Sequence, residues 1–294
     1  MKLDGISAFV TIAETGSISA AARRLRVAVS VVSERLAELE RSLGTKLFHR
    51  TTRKLSLTED GAAFLERAGR IVREIEDARS DLAERRGELS GPLHLSVPVT
   101  FGRQHLGPAL YPFLKAHPRI EMTLDLDDRR IDAASAGYDA VVRHGPLTDS
   151  RLMAWVLAPS RRVLVASAEY LAREGEPRSP EQLAGHRAIA YTNRGVADWR
   201  FGKVTVKARL GIRLNNGDML RDAAIAGLGI AHLPMFIAGP AVKQGQLKVV
   251  EIGIAAEPEM IFIAHPEGRQ PSAKLRALAD HLKGAFGSPP YWDL

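Results

Sequence analysis

The chain has 294 residues, 45% of them apolar and 26% charged, with no cysteine and a formal net charge of +7. That balance excludes a disordered chain, a collagen-like repeat and a disulfide-stapled scaffold, and it removes thiolate catalysis and cysteine-ligated metal. The length exceeds one average domain, and the basic excess makes nucleic acid a reasonable partner.

No continuous apolar run opens the chain, where Lys2 and Asp4 interrupt the apolar residues, so no secretory leader is read and a cytoplasmic location is expected. Residues 223–242 carry no formal charge over a membrane-spanning length. Gly227, Gly229, Pro234 and Pro240 break that stretch into helix end, buried strand and turn, so no membrane is expected as a partner. The charge is unevenly placed. Residues 1–58 hold ten Lys or Arg against five Asp or Glu, and residues 59–90 hold six against nine. A basic cluster on a short helical unit is an electrostatic footprint for phosphate.

Leu3, Ile6, Phe9, Val10 and Ala13 lie at helical spacing and predict a first helix ending near Thr15 and Gly16. Ser17 is placed to cap a short second helix through Ala20, Ala21, Ala22 and Leu25. A third helix is expected from about Val29 to Leu43, with Val32, Leu36, Leu39 and Leu43 inward and Gly44 as its stop. Two short helices around a tight turn, with small polar side chains early on the second, is the helix-turn-helix arrangement that enters the major groove. Residues 46–58 alternate enough for a two-stranded wing with a basic tip.

The ordered set Phe9, Ala13, Glu14, Gly16, Ser17, Ala21, Ala22, Leu25, Ser33, Leu39, Glu40, Leu43, Gly44, Leu47, Phe48, Arg50, Arg53, Leu57, Thr58 and Gly61 resembles the N-terminal domain of LysR-type transcriptional regulators. The resemblance implies a winged helix-turn-helix over 1–58. Val29, Ser30, Ser33 and Glu34 would face the bases, Arg35 would add a nearby cation, and Arg50, Thr52 and Arg53 would serve the wing. Three positions depart from the family pattern: Ala28 where a capping serine is usual, Val29 where glutamine is common, and Glu34 where Arg or Lys is common. Val29 can touch a thymine methyl, and Glu34 can accept only from a base amino group such as that of cytosine.

Thr58, Glu59 and Asp60 open a long helix expected to run to about Glu88. Ala68, Ile71, Ile75, Ala78 and Leu82 are spaced 3, 4, 3, 4, the seam of a coiled coil. Such a stripe is buried on the same chain or on a second copy. Dimerisation is the favoured reading, and the resemblance implies an antiparallel pair. Gly87, Gly91 and Pro92 end the helix and mark a hinge, giving a linker over 59–90.

From Leu93 short apolar strands alternate with helical segments, which predicts an α/β domain over 91–294. Strands are expected around 93–97, 120–127, 140–142, 163–166, 230–233 and 260–264. Gly91, Pro98 to Arg103, Arg143, Gly145 and the run Gly227 to Pro234 are similar to the effector domain of the same family. That resemblance implies two Rossmann-like subdomains built like a periplasmic binding protein, at about 91–160 with 266–294 and about 161–265, holding a small ligand between them. The candidate ligand residues are Thr100 and Phe101 at the first strand-to-helix turn, Arg143, the polar loop Tyr191, Thr192 and Asn193, and Asn216 and Asp218 ahead of a helix. Each also has a local use: Thr100, Asn216 and Asp218 suit helix ends and turns, and Arg143 suits a structural salt bridge.

Catalytic patterns are missing from the sequence. The run Gly227, Gly229 and Ile230 imitates a dinucleotide fingerprint but sits at a helix-to-strand junction, in the wrong order for one. No nucleophile elbow, Walker A loop or His-x-x-x-His spacing occurs. The resemblance implies a sequence-specific transcriptional regulator responding to a small effector, and the missing patterns agree that it is not an enzyme, with no catalytic residue, metal or cofactor expected. Double-stranded DNA carrying a pseudopalindromic operator, a small-molecule effector and a homodimer or homotetramer are the expected partners. A solute-binding protein or α/β enzyme with an accessory helical domain is the alternative.

Overall fold

The computed structural model describes residues 1–50, 55–84, 88–129, 137–145, 152–194, 198–201, 203–254, 259–266 and 270–293. The chain divides into two compact units, Met1–Glu88 and Leu89–Leu294.

The first unit opens with α1 (Leu3–Thr15), α2 (Ile18–Leu25) and α3 (Val29–Leu43). Gly16 ends α1 in the left-handed region, where its amide reaches the Ile12 carbonyl. The Ser17 hydroxyl accepts from the Ala20 amide at 3.4 Å and caps α2. Arg26 also takes a left-handed backbone, φ 55°, and makes the turn into α3. No side chain caps α3 at Ala28, so the amides of its first turn stay available, as the missing serine leads one to expect. The wing follows as β1 (Phe48–Arg50) antiparallel to β2 (Leu55–Leu57), and α4 runs over Glu59–Glu84. Thr58 caps α4 by accepting from the Gly61 amide at 2.9 Å. One core joins these elements. Phe9 sits centrally, 5.4 Å from the Phe48 ring and 5.5 Å from Phe64, with Ile12, Leu36 and Leu47 around it. Ala68, the first residue of the expected seam, is spent on this core rather than on a partner.

The second unit contains two five-stranded sheets. The first has the order β4-β3-β5-β14-β6, from β3 (Gly91–Val97), β4 (Ile120–Leu126), β5 (Ala140–Gly145), β6 (Leu152–Ser160) and, much later, β14 (Glu259–Pro266). β3 pairs in parallel with β4 and β5, whereas β14 runs antiparallel to both β5 and β6. Between β3 and β4 lie α5 (Val99–Phe101), a π turn (Gly102–Leu106) and α6 (Gly107–Ala116).

The second sheet has the order β11-β8-β12-β7-β13. In chain order its subdomain comprises β7 (Arg162–Ala166), α7 (Ala168–Glu174), α8 (Pro180–Ala184), β8 (Arg187–Tyr191), a hairpin of β9 (Asp198–Phe201) and β10 (Val204–Lys207), β11 (Arg209–Leu214), α9 (Gly217–Ile225), β12 (Ile230–Pro234), α10 (Met235–Lys243) and β13 (Lys248–Val250). The chain then returns to the first subdomain through β14, packs α11 (Ala273–Phe286) on it, and carries a last short turn, Tyr291–Asp293, against α10. The second crossing therefore comes before residue 259, earlier than the boundary near 265 read from the sequence. An apolar run such as Ile261, Phe262 and Ile263 fits the middle of either sheet, so its hydrophobicity alone does not say which one it joins.

Candidate functional site

The candidate side chains gather in two places, one per unit. On α3 the side chains of Val29, Ser30 and Glu34 are exposed, Val29 by 47%, and Ser33 is half-buried. At 100° per residue these four fall within an arc of about 140°, while Val32, Leu36 and Leu39 hold the core on another side. The result is a small, mostly neutral face bearing one methyl-rich side chain, two hydroxyls and one carboxylate. Arg35 lies about 100° beyond Glu34 around the helix. Its guanidinium pairs with Asp4 at 2.8 Å, tying α3 to α1, so it is not part of that face. Lys2 and Glu38 form a second tie at 2.7 Å, which raises the lysine pKa and lowers that of the carboxyl.

Cations sit at the margins of this face. Arg23 and Arg26 are exposed around the turn between α2 and α3, and Arg24 pairs with Glu14 at 2.8 Å. Beneath the wing, the Glu40 carboxylate is only 3% exposed and accepts from the Leu47 amide at 3.0 Å and Lys46 Nζ at 2.7 Å. That buried anchor fixes where β1 leaves the end of α3. Thr52, Arg53 and the side chain of Arg50 lie outside the described residues.

In the second unit the segments that follow β3, β4, β8 and β11 face one another across the two subdomains. The Val99 amide donates to Asp128 Oδ1 at 2.9 Å. Burial pushes the Asp128 carboxyl above its ordinary pKa, against that hydrogen bond. From the other subdomain, Asn193 Nδ2 donates to the Asp128 carbonyl at 3.1 Å and to Tyr191 Oη at 3.4 Å. Arg143, at the end of β5, is half-buried and donates to Ser96 O, Ser96 Oγ and Val142 O at 3.2, 2.9 and 2.8 Å. All three acceptors are neutral. Burial lowers the guanidinium pKa, with Asp127 and Asp128 among the groups acting against it.

Asp218, near the start of α9, carries the densest contacts. Its Oδ2 accepts from Thr100 Oγ1 at 3.2 Å and Arg103 Nη2 at 2.7 Å; its Oδ1 accepts from Gln104 Nε2 at 2.7 Å and Arg221 Nη1 at 3.0 Å. The neighbouring Gly217 makes this approach possible, since an added Cβ would lie 2.6 Å from Ile237 Cδ1 and 3.1 Å from Thr100 Oγ1. Asn216 caps α9, accepting from the Met219 amide at 3.1 Å, and Thr192 donates to Leu214 O at 3.4 Å. Phe101 is 1% exposed and packs edge-to-face among Phe236, Phe286 and Trp292, so it supports the fold and offers the cleft no surface. Among the described residues no group of three or more His, Asp or Glu is arranged to hold a metal ion.

Two family descriptions match the chain: "Bacterial regulatory helix-turn-helix protein, lysR family" over residues 3–62 and "LysR substrate binding domain" over residues 86–287. An HTH-type transcriptional regulator of Haemophilus influenzae is 32% identical over 95% of this chain and 98% of its own length. The solved structure of CrgA, a LysR-type transcriptional regulator from Neisseria meningitidis, is 30% identical, covers 97% of both chains and superposes with a TM-score of 0.57. A full-length OxyR variant from Pseudomonas aeruginosa, 18% identical, shares the fold over 96% of this chain and 95% of its own, with a TM-score of 0.71.

The chain belongs to the LysR family of transcriptional regulators.

This LysR-type regulator thus carries a DNA-binding helix-turn-helix followed by an effector-binding domain of two subdomains, and its matched relatives regulate transcription rather than catalyse reactions. Nothing in these likenesses supports a solute-binding protein or an enzyme. Among the described residues no helix is long and apolar enough to cross a membrane. Of the expected cleft residues, Thr100 meets Asp218 across the two subdomains and Asn193 reaches across them to Asp128 with Tyr191 beside it, whereas Phe101 and Asn216 serve the fold. Sequence reasoning missed Arg103, Gln104 and Asp128. The first two lie three and four residues after Thr100, on the same helical face, and Asp128 follows β4 as a plain acidic residue.

Proposed function

We propose that this LysR-type regulator acts in the cytoplasm as a homodimer or homotetramer on a pseudopalindromic operator. In this reading Val29, Ser30, Ser33 and Glu34 meet base edges in the major groove. Arg23 and Arg26 meet phosphates beside them, and the wing, with Arg50, Thr52 and Arg53, meets the minor groove. The observation that carries the reading is the exposed, small-residue face of α3, held outward by the Val32, Leu36 and Leu39 core and by Arg35 on Asp4. Small side chains let a helix approach base edges closely, and flanking cations supply the salt-dependent attraction.

The copies would pair through α4. Beyond Ala68 its stripe continues through exposed Ile71, half-buried Ile75 and exposed Ala78, apolar surface that the first unit leaves uncovered. The effector would bind where Thr100, Arg143, Tyr191, Asn193 and Asp218 converge. The test of the DNA reading is a mobility shift and footprint on the DNA around the regulator's own gene, with excess non-specific competitor. A competitor-resistant, two-fold symmetric footprint at near-physiological salt is expected. Binding that competitor abolishes would leave only phosphate attraction and overturn the base-reading assignment on that DNA.

A further inference from the structure

The last turn of the chain follows the first subdomain in sequence and touches both. Gly287, with φ 80°, ends α11, and Pro289 and Pro290 follow with their φ angles fixed by their rings. That short, stiff approach brings Tyr291–Asp293 against α10 of the second subdomain. Gly239 of α10 lies so close that an added Cβ would stand 3.0 Å from the Trp292 carbonyl oxygen. The Trp292 ring, buried, packs on His105, Phe286 and Phe101 of the first subdomain at 4.9, 5.3 and 6.0 Å. It meets Phe236 of the second subdomain at 6.4 Å. Asp293 lies within electrostatic reach of Arg161, the residue that joins β6 to β7 where the chain first crosses between the sheets.

His105 completes the tie. Its Nε2 faces the Phe236 carbonyl at 2.8 Å, an oxygen that can only accept, so the neutral ring carries its proton there. Nδ1 is then the acceptor, and the Tyr291 hydroxyl donates to it at 2.7 Å. The tail thus matches the tautomer with which the first subdomain holds α10. Among the described residues, Trp292 Nε1 and Asp293 Oδ1 are buried without a hydrogen-bond partner. Ring packing and one side-chain hydrogen bond therefore seat the turn, with no polar network to lock it.

We infer that Tyr291–Asp293 is a strap across the two subdomains: seated, it holds the arrangement seen here, and unseated, it frees α10 and the π turn to move apart. The inference goes beyond the effector reading, because the strap acts on the balance between arrangements without a ligand or DNA. A ligand that shifts the same balance does so through its differential affinity for the two arrangements, and the strap sets the starting point from which it works.

The experiment is hydrogen exchange read by mass spectrometry on the full-length protein, with neither ligand nor DNA added. Two variants unseat the strap from opposite sides. Trp292→Ala removes the ring that both subdomains share. Gly239→Val pushes on the Trp292 backbone from α10 and leaves every side chain of the tail intact. Each should speed exchange at least about tenfold in residues 235–243 and 102–106 together, as loss of buried aromatic contacts does to a local opening. Strands β5 and β12, inside the two sheets, should keep their wild-type exchange. The response of residues 102–106 to Gly239→Val is the diagnostic one, since that substitution lies in the other subdomain. If neither variant folds, Tyr291→Phe loses only the bond to His105 and should raise exchange in both segments to a smaller degree. A rise confined to the tail and α10 would mean that the turn merely rests on that helix, and would overturn the inference. So would an even rise through β5 and β12, the mark of an ordinary core residue, or no rise in a folded variant.

Discussion

A carboxylate on an exposed recognition helix repels every phosphate near it, and among major-groove donors the cytosine amino group is the one it pairs with most directly. In the proposed reading Glu34 trades general affinity for selectivity, while Val29 touches a thymine methyl. Glu34→Arg should tighten binding to non-specific DNA and steepen the log-log salt dependence by about one unit, read by titrations at several salt concentrations. Equal slopes would remove Glu34 from the DNA surface. A second residue-scale expectation concerns His105. Its Nε2 meets the Phe236 carbonyl at 2.8 Å and its Nδ1 the Tyr291 hydroxyl at 2.7 Å, inside an aromatic cluster. Burial lowers its pKa from 6.5, against the raising effect of the Phe236 carbonyl. The unfolded chain then binds the proton more readily than the folded one, so stability is lost as pH falls below about 6.5. His105→Gln should flatten the fall in unfolding temperature between pH 7 and 5; an unchanged slope would assign the acid sensitivity elsewhere.

At the scale of elements, the joint between wing and α4 is the tightest in the first unit. A Cβ at Gly61 would run into the backbone carbonyl of Leu47, and Thr58 bonds both the Leu47 carbonyl and the Lys46 carbonyl from the other side. Backbone on both sides gives little room to relax, so Gly61→Ala should destabilise this unit by roughly 1–3 kcal/mol, measured by denaturant unfolding. A cost near zero would mean that the wing shifts freely. The helices were legible in the sequence because their ends are written in single residues: Gly16 and Gly44 for stops, Ser17 and Thr58 for caps. The faces were less legible. Arg35 follows Glu34 by one residue, yet one residue is 100° of turn and carries it off the exposed face of α3 to Asp4. Arg103 and Gln104 follow Thr100 at three and four residues, ordinary same-face spacing; what nothing local encodes is that Asp218, more than a hundred residues on, comes to meet them. β14 was readable as a strand but not as a member of the first sheet, because nothing local to Met260 or Ile263 encodes its antiparallel partners.

At the scale of the whole molecule, one α3 face of four small or medium side chains covers few base pairs, and with a carboxylate in it the face gains little from electrostatics. A single copy is therefore a weak reader, and useful operator affinity requires two half-sites engaged together, where linkage multiplies the separate affinities. Ile71 and Ile75 of α4 are where that requirement meets the structure. Ile71→Glu together with Ile75→Glu would set carboxylates along the exposed stripe without touching the Phe9 core. The double variant should dissociate the homo-oligomer by about tenfold or more in sedimentation, as loss of a central apolar contact does. Operator affinity should fall by a larger factor than non-specific affinity, because only the operator uses both half-sites. An intact oligomer in the folded double variant would place the pairing surface elsewhere. Equal losses on both kinds of DNA would show that the two copies read no paired half-sites.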